Sequence, residues 1–131
     1  MILDRLQQIV NLARQNVDVA ALWLYGSRAK GTARDDSDFD LGILFRDYLA
    51  DPLERRLRPE LLALDWQRQL ALPEGMISVA DIKSVPIPLA MNIISGKLLH
   101  CENHDARLAA EGMIMSKAEL DYRYHLQQFG G

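Results

Sequence analysis

Apolar residues recur at spacings of three and four near the start of the chain: Ile2, Leu6, Ile9, Val10 and Ala13, with Arg5, Gln8 and Arg14 between them. That period predicts an amphipathic helix over residues 1–16. Val19 to Tyr25 is apolar without a break and too short for a good helix, which predicts a buried strand ended by Gly26. Ser27 to Gly31 suits a short helical turn, and Thr32 to Ser37 is a polar, charge-dense loop. Phe39 to Phe45 reads as a second strand. Asp51-Pro52 has the order of an N-cap followed by proline at the first helical position. The helix it opens is expected to reach about Leu70, with a break near Pro59 and a buried stripe of Leu61, Leu62, Trp66 and Leu70. Met76 to Ile82 predicts a third strand, Pro86 and Pro88 a short helix closed by Gly96, and Lys97 to His100 a short fourth strand. From Asp105 to Phe129 the pattern is helical again, interrupted at Gly112. Helices and strands thus mix without a strict βαβ repeat, and no linker or repeat divides them. The expected fold is α+β: a small mixed β-sheet with helices packed on it, one domain over residues 1–131, with 105–129 a C-terminal helical segment.

Composition narrows the class. With 131 residues, 49% apolar and 25% charged, the chain can bury a core, which excludes disorder along its whole length. A net charge of −3 argues against a general nucleic-acid binder, which carries a basic surplus to neutralise phosphates. It leaves room for a small nucleotide bound through metal ions. Cys101 is the one cysteine, so no internal disulfide or Cys-x-x-Cys zinc site is available. With no signal-peptide pattern and no apolar run of membrane-spanning length, the expected setting is the cytoplasm, away from any membrane.

The chemistry concentrates in Gly26-Ser27-Arg28-Ala29-Lys30-Gly31 and Asp38-Phe39-Asp40. Asp38 and Asp40 stand two apart on a strand, so both carboxylates point to one face while Phe39 and Leu41 point to the other. Two adjacent carboxylates repel, and a divalent cation with a taste for hard oxygen ligands, such as magnesium, resolves the repulsion. Gly26 permits a sharp turn after the first strand. Ser27 opens a helical turn whose N–H groups suit an anion, and Arg28 and Lys30 add positive charge beside it. The chain has 12 aspartates, so about one Asp-x-Asp arises by chance. A Gly-Ser followed at this fixed gap by Asp-x-Asp is expected only about 0.003 times.

This spacing, in the run GSRAKGTARDDSDFDLGILF, matches the signature of the DNA-polymerase-β-like nucleotidyltransferase superfamily. The chain resembles its minimal nucleotidyltransferases, and more narrowly the antitoxin of HEPN–MNT (HepT–MntA type) toxin–antitoxin pairs, from about Val19 to His100. The resemblance implies a polymerase-β-like core in which ATP is the substrate. ATP would bind with Mg2+, as two ions, between Gly26, Ser27, Arg28 and Lys30 and the catalytic pair Asp38 and Asp40. It also implies a cognate HEPN toxin, an RNase, as partner. AMP would move to a tyrosine of that toxin and silence it, within a hetero-oligomer that holds no nucleic acid directly. The superfamily places a third carboxylate on a later strand. Here that strand reads Ile77-Ser78-Val79-Ala80-Asp81-Ile82, with Ser78 at the usual position and Asp81 three residues on. Ser78 and Asp81 face opposite sides of a regular strand. Either Asp81 serves as a metal ligand through a bulge or strand end, or the third ligand is absent.

Two other functions compete. A small-molecule nucleotidyltransferase, of the antibiotic-modifying type, normally adds a second domain for its acceptor, and only about thirty residues follow His100 here. An inactive nucleotidyltransferase fold that neutralises a toxin by contact alone is kept open by Ser78. The remaining features read as structural: Trp23 and Trp66 as core, Cys101 as a small buried residue, His100 and His104 without a metal. Asp35 and Asp36 read as a solvated loop, and the Glu54-Arg55-Arg56-Leu57-Arg58 cluster as a solvated helix face. The C-terminal segment differs. Leu108, Met113, Ile114, Met115, Leu120, Tyr122, Tyr124, Leu126 and Phe129 occupy more than one helix face, a surplus that suggests a partner surface.

Overall fold

The computed structural model describes residues 4–34 and 36–130, with the side chains of 129 and 130 excepted. Ile2 and Asp35 lie outside the described residues, and so does the Phe129 side chain. The order of elements is α1 (Arg5–Gln15), β1 (Val19–Tyr25), α2 (Gly26–Lys30), β2 (Phe39–Phe45), α3 (Pro52–Gln69), β3 (Ile77–Asp81), α4 (Ile87–Ile94), β4 (Lys97–Cys101) and α5 (His104–His125), ending in a π-helical turn at Leu126–Gly130.

The sheet order is β3-β2-β1-β4. β1 pairs antiparallel with β2 and with β4, and β2 pairs parallel with β3, so the sheet is mixed as expected. β1 and β2 are central and covered on both faces, which is why their sequences are apolar nearly throughout. On one face α1 and α3 pack Ile9, Ala13 and Trp66 against Leu22, Leu24, Phe39, Leu41 and Ile43. On the other, α4 and α5 pack Ala90, Ile93, Ala110 and Ile114 against Ala21, Trp23 and Leu44. Trp23 and Trp66 are each 1% exposed, so both are core residues. Cys101 is half-buried.

Caps fix where the helices begin. Asp4 accepts from the Gln7 N–H at 2.7 Å to start α1, Asp51 from the Leu53 N–H at 2.8 Å to start α3, and Asn103 from the Ala106 N–H at 3.0 Å to start α5. Three sequence expectations are corrected. α3 runs through Pro59 without a break. Its buried line is Trp66 with the partly buried Leu62 and Leu70, four residues apart, whereas Leu61 is 60% exposed. α5 is continuous through Gly112. One glycine costs a helix about 1 kcal/mol, which the burial of Ala110 and Ile114 on either side of it offsets.

α5 leaves the body of the molecule as it runs. Ala110 and Ile114 are its buried residues, while Leu120, Tyr122 and Tyr124 are each more than 60% exposed. The apolar surplus of this segment is thus not spent on the chain's own core. Among the described residues no helix is long and apolar enough to cross a membrane.

Candidate active site

The alternation of β2 sets the site. Phe39 and Leu41 enter the α1/α3 core, so Asp40 points to the other face, and Asp38, just before the strand, lies within hydrogen-bond reach of it. Asp40 is the register partner of Tyr25 on β1, the residue that immediately precedes Gly26. Gly26 therefore sits against the Asp40 side chain. A Cβ added there would run into Asp40 Oδ2 and lie 3.2 Å from its Cγ. Gly26 also has φ +73°, a left-handed conformation that side chains disfavour. Both requirements explain glycine at this place. α2 begins at the same residue, so the first N–H groups of a helix, which have no intrahelical partner, lie beside the carboxylate pair.

Asp38 and Asp40 are close enough to share a hydrogen bond. Burial, then the charge of Asp38 and that hydrogen bond, raise the Asp40 carboxyl above its ordinary range. Burial, followed by the charges of Asp40 and Asp38, likewise raises the Tyr25 hydroxyl. Negative charge is thus concentrated here. That is the condition two hard-oxygen ligands for a divalent ion would create, and the donor set fits magnesium.

The other expected site residues divide. Ser27 lies in the first turn of α2, and its carbonyl accepts from Thr32 N–H at 3.0 Å, closing the turn. Lys30 is exposed and lines a cavity of about 340 Å3 together with Tyr25, Gly26, Asn92 and Ser95. Arg28 points elsewhere. Its Nε donates to the carbonyls of Ser37 at 3.0 Å and Asp38 at 3.3 Å, and its guanidinium lies 3.9 Å from the centre of the Phe39 ring. That is the α1/α3 side of the sheet, opposite the carboxylate pair. In this structure the Arg28 side chain is thus held by the loop backbone and the Phe39 ring.

Asp81 does not join the pair. Ser78 is the register partner of Asp40, and Asp81 is the partner of Ile43, three residues along and on the other face. Asp81 is 5% exposed and accepts from the Lys83 N–H at 2.9 Å and the Ser84 hydroxyl at 3.2 Å, so it caps the turn after β3. No bulge in the β2–β3 register turns it back. Among the described residues no group of three carboxylate, histidine or cysteine side chains forms a metal site. The exposed Ser78 occupies the place beside Asp40. Elsewhere, His100 pairs with Glu102 at 3.3 Å, and Arg58 pairs with Asp47 at 2.9 Å while lying over the Phe45 ring. Tyr25, which the spacing of Gly26 and the aspartates does not single out, ends β1 directly before the glycine, so the antiparallel return of β2 places it opposite Asp40.

Solved structures share this fold. A toxin–antitoxin structure with AMP-PNP aligns with TM-score 0.68 at 24% identity, covering 92% of each chain. A mutant MntA–HepT toxin–antitoxin structure aligns with TM-score 0.65 at 25% identity, over 93% of this chain and 92% of that one. The tri-AMPylated Shewanella oneidensis HEPN toxin in complex with MNT antitoxin aligns with TM-score 0.61 at 22% identity, over 90% and 87%. No curated protein gives a significant match. The model of the family described as "Polymerase beta, Nucleotidyltransferase" matches residues 7–105, a span that holds the Gly26 turn, both aspartates and all four strands. The chain belongs to this nucleotidyltransferase family.

Proposed function

We propose that this chain is the antitoxin of a HEPN toxin pair and acts as a protein adenylyltransferase, moving AMP from ATP to a tyrosine of its cognate toxin. The observation that carries the reading is the contact between Gly26 and Asp40, which sets the glycine turn that opens α2 directly against two neighbouring carboxylates. The similarity in fold to toxin–antitoxin structures, one with AMP-PNP and one with an AMPylated toxin, supports the same assignment.

In this reading Asp38 and Asp40 hold Mg2+, which neutralises phosphate charge and polarises the transferred group when bound. The remaining work falls to the chain. The backbone of Gly26 and Ser27 orients the phosphates through free N–H groups at the start of α2, and Ser27 adds a hydroxyl. Lys30, from the cavity beside Gly26, faces the charge of the departing pyrophosphate. The toxin's tyrosine oxygen forms a bond to the α-phosphorus as the bond to pyrophosphate breaks, and the hydroxyl proton leaves to solvent. Reactions of this class depend mainly on alignment and charge stabilisation. Ser78 stands beside Asp40, where the superfamily has a third carboxylate.

That same serine favours a second reading, an antitoxin that neutralises by contact alone. Incubating purified toxin with this protein, magnesium and ATP labelled in the α-phosphate separates the two. Label on a toxin tyrosine supports the transferase. A stable, unlabelled and inactive toxin complex supports contact alone.

A further inference from the structure

We infer that Arg28 is a positioning residue, which ties the phosphate turn to the strand that carries the aspartates and so sets the direction of Asp38. The inference rests on the reading of Asp38 and Asp40 as metal ligands. Arg28 belongs to α2, whose first residue meets Asp40. Its guanidinium binds the carbonyls of Ser37 and Asp38, the two peptide groups on either side of the Asp38 Cα. Fixing both groups fixes the backbone torsions of Asp38, and with them the line along which its carboxylate leaves the chain.

The stack on Phe39 completes the clamp. Phe39 is 5% exposed, a core residue between the two aspartates, and the guanidinium carbon lies 3.9 Å from the centre of its ring. Gly31, Thr32, Arg34 and Asp36 are exposed, and Ser37 N–H donates to the Arg34 carbonyl at 3.0 Å while Arg34 N–H donates to the Ser37 hydroxyl at 2.8 Å. Those bonds shape the loop but do not attach it to α2. Arg28 does. Lysine cannot replace it, because an ammonium offers neither the planar fork nor the stacking face.

The alternative role, direct contact with phosphate, makes a different prediction. A phosphate contact depends on charge, so Arg28→Lys would keep ATP affinity and Arg28→Gln would lose it. A clamp depends on geometry, so both variants fail alike. The test uses both, with the toxin as acceptor. For the clamp, kcat falls about tenfold or more in each variant, since small misplacements of reacting groups are costly, while KM for ATP moves by less than about threefold. A second readout needs no activity. In the protein without metal or nucleotide, backbone amides of residues 36–40 exchange faster in both variants, while those in the centres of β1 and β2 keep wild-type protection. The inference is overturned if Arg28→Lys has wild-type kcat and only Arg28→Gln raises KM. It is also overturned if exchange at 36–40 is unchanged, or if protection is lost throughout the sheet. Should the wild-type protein transfer no AMP, the functional reading fails, and the exchange measurement still decides the role of Arg28.

Discussion

Gly26 and Gly31 both have left-handed backbones, φ +73° and +76°, at the two ends of the same short helix. Alanine at either place pays the conformational cost of that region, about 1 kcal/mol. Only at Gly26 does the new Cβ also meet a neighbour. It would lie 3.2 and 3.3 Å from Asp40 Cγ and Cβ and collide with Oδ2, so the carboxylate must leave its rotamer. That adds about 0.5–1.5 kcal/mol. Nothing lies within 4 Å of a Cβ on Gly31. Gly26→Ala should therefore lose about 2 kcal/mol in urea unfolding, against about 1 kcal/mol for Gly31→Ala. The difference in AMP transfer should be much larger. Displacing Asp40 should lower transfer about a hundredfold, whereas Gly31→Ala should transfer at the wild-type rate once corrected for folded fraction. Equal transfer by the two variants would refute the claim that Gly26 is required by its contact with Asp40.

Three further outcomes follow from named contacts. Asp81→Ala leaves the Lys83 N–H and Ser84 hydroxyl without their buried acceptor, so stability should fall by about 1–3 kcal/mol with AMP transfer retained; selective loss of transfer in a stably folded variant would return Asp81 to the metal site. Because Asp40 holds its proton more tightly folded than unfolded, metal-free stability should fall as pH rises from the ordinary carboxylate range through its raised value. Asp40→Asn should flatten that fall, gaining on wild type at neutral pH but not at acid pH, and matching unfolding profiles would contradict it. Replacing Leu120, Tyr122 and Tyr124 together by serine should abolish toxin capture in a pull-down while ATP binding and unfolding stay near wild type, since these side chains touch little of their own domain; full-strength capture would show that the toxin docks elsewhere.

The central strands were legible to the residue. Val19–Tyr25 and Phe39–Phe45 are buried on both faces, so their apolar runs start and stop where the sheet does. The helices were less so. A proline was expected to break α3, but Pro59 falls within a helix already capped and held by Trp66 against the sheet, and packing outweighs one missing N–H. The buried stripe of α3 excludes Leu61, because a row of leucines does not say which of them faces inward. The carboxylate pair and its glycine turn could be read from alternation and spacing. The direction of Arg28 could not, because it is decided by where a polar loop returns to the sheet. Strand parity already placed Ser78 and Asp81 on opposite faces, and the undistorted β2–β3 register settles which of them stands beside Asp40.

On the proposed function, AMP transfer to the protein partner depends on Asp38 and Asp40. Its most direct test is the intact mass of the cognate toxin after incubation with ATP, magnesium and either the wild-type protein or the Asp38→Asn, Asp40→Asn double variant. The wild type should add one or more adenylyl groups to a toxin tyrosine, and the double variant, still folded and still bound to the toxin, should add none. An unmodified toxin with the wild type, or equal modification by both proteins, would contradict it.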